Sequence, residues 1–161
     1  MQDVRFDDIP ALEALTREPF GQWGPEFEVT QALIDAFAEL SGDHQWIHVD
    51  VERAKRESPF GCTVAHGFLT LSLLPRLHPR NDFQIVGYGN AVNYGASNLR
   101  FLSPVPAGSR IHARSRLKAV TRHAKGTLLT WATEVHVVGG GDKPALLYEA
   151  LALYQPTRGR G

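Results

Sequence analysis

The stretch His66-Gly67-Phe68-Leu69-Thr70-Leu71-Ser72-Leu73-Leu74 constrains this chain more than any other. It reads as a helix that is apolar nearly all the way round, and such a helix must be covered on most sides. Pro75 is placed to kink or end it. The cover lies downstream, where the texture becomes that of strands from Gln84 onward. Over 110–118 the chain alternates: Arg110, His112, Arg114, Arg116 and Lys118 face one way, and Ile111, Ala113, Ser115 and Leu117 the other. Residues 127–138 and 145–154 are further long strand candidates. Turns are expected at Lys125-Gly126 and at Gly139-Gly140-Gly141-Asp142. Upstream, 31–40 has helical spacing: Leu33, Ile34, Phe37 and Leu40 form one apolar stripe, Thr30 can cap it and Gly42 suits a left-handed stop. Helices followed by four or five antiparallel strands indicate an α+β domain, with a sheet wrapped round the apolar helix.

With 161 residues, 43% of them hydrophobic, the chain has the size and composition of one globular domain. The first 22 residues read as a short helical preface and 156–161 as a frayed tail. Seventeen basic side chains balance seventeen acidic ones, which removes the basic signature of a nucleic-acid binder. No apolar run reaches the roughly 18–20 residues of a membrane span, so no membrane partner is expected. Cys62 is the lone cysteine, leaving no intramolecular disulfide, and with no signal-like N-terminus the expected setting is cytoplasmic.

Chemistry concentrates in Ser41-Gly42-Asp43-His44-Gln45-Trp46-Ile47-His48-Val49-Asp50. Asp43 and His48 would lie roughly 140° apart on a helix and on opposite faces of a straight strand, so only a curled loop brings them together. A carboxylate and an imidazole converging on one water make an acid–base pair. The plainer alternative is that Asp43 caps the next turn and His48 packs as a partly buried polar residue; His44 and Asp50 are also available. A second feature is Gly61-Cys62-Thr63-Val64-Ala65-His66-Gly67. A glycine at the mouth of a buried helix lets a ligand approach free backbone N–H groups suited to a developing oxyanion, or it simply relieves crowding. Cys62 as a nucleophile, with His66 near it in sequence, is weaker than Cys62 as a packed thiol. His44, His48 and His66 lack the further ligands of a zinc site, so no metal is expected. There is no glycine-rich phosphate loop and no cofactor is implied. The basic row on 110–118 fits either a solvated strand face or the phosphates of coenzyme A.

Asp43-x-x-x-x-His48, then Val49-Asp50-x-Glu52-x-Ala54 and Ala65-His66-Gly67, resembles the hydratase motif of MaoC-like proteins, the (R)-specific enoyl-CoA hydratases or hydratase 2. Asn93-Tyr94-Gly95 and the run from Arg100 to Gly108 resemble that family's downstream block. The wording Asp43-His44-Gln45-Trp46-Ile47-His48 is most similar to its nodulation-protein-N-like branch. The resemblance spans about residues 24–155. It implies a hot-dog fold, an antiparallel sheet around a long central helix, acting as a homodimer. It also implies an acyl-CoA thioester substrate, undergoing reversible syn hydration of a trans-2-enoyl-CoA to the (R)-3-hydroxyacyl-CoA. By resemblance, Asp43 and His48 are catalytic and Gly67 supplies the oxyanion amide, with Gln45, Trp46, Ala65, His66 and Arg100 around the substrate. Gln45-Trp46 stands where many hydratases have Asn-Pro, which puts a different amide and an indole beside the acyl pocket. Two other readings stay open at this point: another hot-dog thioester enzyme, a thioesterase or carrier-protein dehydratase, and a catalytically silent acyl-CoA-binding subunit.

Overall fold

The computed structural model describes residues 2–16, 19–77 and 81–157. Five strands form one antiparallel sheet: β2 (Phe27–Val29), β4 (Asn90–Phe101), β5 (Ser109–His123), β6 (Gly126–Val137) and β7 (Leu146–Gln155), in the order β2-β5-β6-β7-β4. The alternation of β5 is realised as expected, with Ile111, Ala113, Ser115 and Leu117 buried against the interior and the Arg/His row outside. Gly139, at φ 73°, takes the left-handed turn between β6 and β7 that a side chain would strain.

The interior face carries two covers. Helix α2 (Gln31–Ser41) and the pair α5 (Gly67–Ser72) and α6 (Leu74–Leu77) cover one half, where Ile34, Leu69, Leu73 and Leu77 meet Ile111, Ala113, Val135 and Leu146. The other half, around Leu117, Leu129 and Trp131, is capped by Val4, Phe6, Leu12, Leu15 and Ile85. These come from the N-terminal segment and β3 (Phe83–Val86). The N-terminal preface is therefore not only helical: β1 (Gln2–Arg5) pairs in parallel with β3, and the helix is the short α1 (Ile9–Glu13). The β5–β6 register skips Lys118 where one cover gives way to the other.

Helix α2 follows its sequence signals closely. Thr30 Oγ1 accepts from the Leu33 amide, and Gly42 closes the helix at φ 77°. The central helix is split, not continuous. Pro75 has no N–H to return to Leu71, and the chain breaks at Leu73 before one more turn, α6. Nor is it buried all round: Phe68 is 62% exposed, its ring meeting only the edge of Phe101 at the end of β4, with centroids 5.6 Å apart. Of the expected tail, Pro156 and Thr157 follow β7, with Thr157 against Gly89; the remainder lies outside the described residues. No described helix is long and apolar enough to cross a membrane.

Candidate active site

Asp43 and His48 meet because the chain between them turns twice. Gly42 leaves α2 in the left-handed conformation, Asp43 and His44 run on, and one turn of helix, α3 (Trp46–Val49), swings His48 back. The curled loop expected from spacing thus contains a helical turn. Asp43 Oδ1 accepts from the Gln45 amide at 3.3 Å, a bond that bends the chain before α3, whose N-cap is Gln45.

His48 is 7% exposed. Its Nδ1 lies 2.6 Å from the Val64 carbonyl. A carbonyl only accepts, so Nδ1 carries the proton and Nε2 keeps a bare lone pair. Burial holds the His48 pKa below the usual imidazole value, opposed by the Val64 carbonyl and by Asp43 and reinforced by His66. The ring is therefore a neutral base at neutral pH.

His66, 3% exposed, stacks on His48 with ring centroids 3.8 Å apart and planes at 27°. Its Nε2 donates to the Asp43 main-chain carbonyl at 2.9 Å. Asp43, His48 and His66 each bring a carboxylate oxygen or ring nitrogen to within 4.8 Å of the others. A cation needs lone pairs aimed at one point, as in a tetrahedral zinc site. Two nearly parallel rings send theirs side by side, and one nitrogen of each is already engaged. The arrangement suits proton transfer better than metal binding.

The segment carrying Thr63, Val64, Ala65 and His66 templates this geometry. Ala65 N donates to the Val105 carbonyl and Ala107 N to the Thr63 carbonyl, tying the segment to the 105–107 strap. On its other side Val64 N donates to the Ile47 carbonyl. Gly67 begins α5 straight after His66, and the first amides of any helix lack an acceptor one turn back. A Cβ on Gly67 would come within 2.8 Å of the Phe101 ring.

Beside this amide opens a cavity of about 360 Å³ walled by Ile47, Phe60, Phe101, Leu102 and Val105. Of the residues expected at the site, Gly67 and Ala65 line it. Asp43, His48 and His66 are not among its lining residues; they adjoin it in the chain through Ile47, Val64 and Ala65, which are. Gln45 is exposed at the start of α3, Trp46 packs under Arg53 at 4.4 Å, and Arg100 projects from β4 into solvent. Cys62 is a partly buried free thiol. Three contributors were given no role by the sequence: the Val64 carbonyl and Gln31, which reach His48 by tertiary contact, and Thr63, which reaches it through Gln31, although Thr63 and Val64 lie in the 61–67 stretch singled out there.

A family model for the MaoC-like domain matches residues 19–138. The chain is 42% identical over 151 residues to the 3-hydroxyacyl-thioester dehydratase Z of Mycobacterium tuberculosis, covering 92% of this chain and 97% of that protein. It is 40% identical over 161 residues to nodulation protein N of Rhizobium meliloti, covering 96% and 94%. Among solved structures it is similar to the (R)-hydratase from A. caviae involved in PHA biosynthesis, with 26% identity, a TM-score of 0.65 and coverage of 84% and 96%. The curled sheet, the site on its helical cover and matches that run almost end to end all agree, and this chain belongs to the MaoC-like dehydratase family.

Proposed function

We propose that the protein is a hydro-lyase of acyl thioesters, hydrating a trans-2-enoyl-CoA to the (R)-3-hydroxyacyl-CoA and catalysing the reverse dehydration. The observation that carries this reading is the bare Nε2 of a neutral, buried His48 beside the Asp43 carboxylate, next to the amide that opens α5. The names of the relatives, a 3-hydroxyacyl-thioester dehydratase and an (R)-hydratase, support the same class.

In the hydration direction, Asp43 and His48 hold one water. His48 Nε2 takes a proton as the water oxygen bonds to C3, and the π electrons move onto the thioester oxygen as an enolate. The Gly67 N–H stabilises that oxygen. Asp43 orients the water and offsets the imidazolium charge. The imidazolium returns its proton to C2 as the enolate collapses, so water adds with no atom left over. His48 returns the proton from the same side on which the water it activated adds, which makes the addition syn. The apolar cavity takes the acyl chain, with Ala65, His66, Gln45 and Trp46 shaping its approaches and Arg100 on the coenzyme side. No metal and no cofactor enter.

The whole chain works as one domain in this reading, in the cytoplasm and as a homodimer. Among the described residues strand β4 ends the sheet with a free edge, and Tyr94 and Phe101 on it, like Phe68 beside it, are exposed. A second copy paired there would cover those rings and close the cavity mouth.

The test is the loss of enoyl-thioester absorbance with crotonyl-CoA. Wild type should turn over and Asp43→Asn should lose about 10²–10⁴-fold in kcat while melting normally. An undiminished rate in that variant overturns the assignment. Release of free thiol would instead select a thioesterase.

A further inference from the structure

Gln31 is the first residue of α2, and nothing in the sequence marks it as part of the site. Its side chain nevertheless joins three segments. Nε2 donates to the His48 main-chain carbonyl at 2.8 Å and to Asp35 Oδ1 at 2.7 Å. Oε1 accepts from Thr63 Oγ1 at 2.5 Å. The orientation of the amide follows from its partners: a carbonyl and a carboxylate can only accept, so the NH₂ faces them and the oxygen is left for the hydroxyl. Thr63 is 3% exposed.

These contacts tie Gln31 to the two segments that set the His48 ring. One is reached at the carbonyl of His48 itself. The other is reached through the side-chain hydroxyl of Thr63, the residue before Val64, whose carbonyl lies 2.6 Å from Nδ1 and fixes the Nδ1–H tautomer. The spacing between ring donor and carbonyl acceptor is thus spanned a second time, by the Gln31 amide and the Thr63 hydroxyl. If α3 shifts relative to the 63–66 segment, both the ring bond and the bridge stretch together.

We propose that the Gln31–Thr63 bridge is a positioning device for the proposed base, holding α3 in register with the 63–66 segment so that His48 keeps one tautomer with Nε2 toward the water. The inference rests on the acid–base role proposed above for His48. Gln31 and Thr63 touch no reacting atom; they act through His48. Helix α2 contributes a rigid anchor, since Gln31 is fixed in its first turn and Asp35, one turn on, restrains the amide from rotating. A displacement of about 1 Å at a catalytic group costs on the order of 10²-fold, so a bridge of this kind has leverage on rate that its own stability contribution does not suggest.

The experiment compares Thr63→Val and Gln31→Met, each close in size to the original, with Thr63→Ser, which keeps the hydroxyl. Two readouts are taken on the intact protein: steady-state kinetics with crotonyl-CoA, and the ring-nitrogen NMR signals of His48. Wild type should show a single Nδ1–H tautomer. Thr63→Val and Gln31→Met should lower kcat by about 10- to 10²-fold with KM changed by no more than about 2-fold. They should also bring in the Nε2–H tautomer. Thr63→Ser should restore both. The double variant should be no worse than the poorer single one, because one unbroken bridge is being cut twice. Variants that melt lower yet keep wild-type kcat and a single tautomer would overturn the proposal, as would fully additive losses. If Gln31→Met does not fold, Thr63→Val and Thr63→Ser carry the comparison alone. A wild type that shows no turnover defeats the hydro-lyase reading, and the tautomer measurement still decides whether the bridge positions His48.

Discussion

Among the described residues two histidine pairs make an instructive contrast. On the interior side His66 stacks on His48 at 3.8 Å. On the outer face of the sheet His112 and His136 are cross-strand partners, and Trp23 stacks on His112, also at 3.8 Å, with planes 5° apart. Burial lowers the pKa of both His48 and His112. By ring contact and electrostatics the two regions look alike. They differ in what surrounds the nitrogens. Beside His48 there is the Asp43 carboxylate, and the adjoining 64–67 segment brings an amide at a helix start that borders a cavity. Around His112, Arg114 lies 4.4 Å from the Trp23 ring centroid and ion-pairs with Glu134, so the space is filled. A perturbed histidine marks a site only when a reactant can reach it.

The strongest way to break this contrast is to substitute both rings in the same manner. His48→Gln should cost about 10²–10⁴-fold in kcat, and His112→Gln should leave kcat within about 2-fold, since it touches nothing that reacts. Steady-state assays on the two purified variants decide it. Equal losses would show that the outer pair belongs to the machinery.

Gly67 gives the next effect in size. The Cβ of Gly67→Ala would enter the Phe101 ring at 2.8 Å, and the ring can swing only by moving in the cavity it lines. The amide remains but is displaced, so the expected loss in kcat/KM is about 10- to 10²-fold, below the cost of deleting an oxyanion donor. Phe101→Ala in the same chain should recover most of it. Without such recovery, the glycine would be needed for something other than room.

On the outer face, Trp23→Leu should leave kcat unchanged and lower stability. The stack on His112 and the cation over the indole together are worth about 1–2 kcal/mol, which thermal melting reads as a Tm lower by several degrees. A drop in activity with an unchanged Tm would reverse the roles assigned to the two pairs.

How much of this was legible beforehand depended on the range of the interactions. The alternation of β5 is a local, period-two pattern, and its buried set Ile111, Ala113, Ser115 and Leu117 is the one the sequence singles out. Thr30 and Gly42 bound α2 because caps act within one turn. β1 escaped because Gln2–Arg5 offers Val4 as its one buried residue and its partner, β3, is some 80 positions away. The Asp43–His48 spacing raised the possibility of a pair but not its geometry. The bonds that create it run from Val64 to His48, His66 to Asp43 and Thr63 to Gln31, across 16, 23 and 32 positions. No periodicity carries such information. The split of the central helix was signalled by Pro75, whereas the exposure of Phe68 was not, since apolarity alone does not say on which side the sheet lies.

The smallest effect separates the two pairs by pH. A base must be neutral, and burial disfavours the His48 cation, so kcat/KM should keep its plateau to a pH below about 6.5, the ordinary imidazole value, before it falls. Stability follows the same sign for both rings. Each binds its proton more readily in the unfolded chain than in the folded one, so the folded state loses ground as pH drops from about 6.5 through the lower folded values. His112→Gln removes one contributor to that loss, and its Tm should therefore decline less steeply with acid than that of wild type. It should do so without moving the acid limb of kcat/KM, because His112 titrates away from the reacting atoms. A limb that shifts in His112→Gln would mean the two pairs sense each other across the sheet, and the contrast between them would have to be redrawn as a coupling.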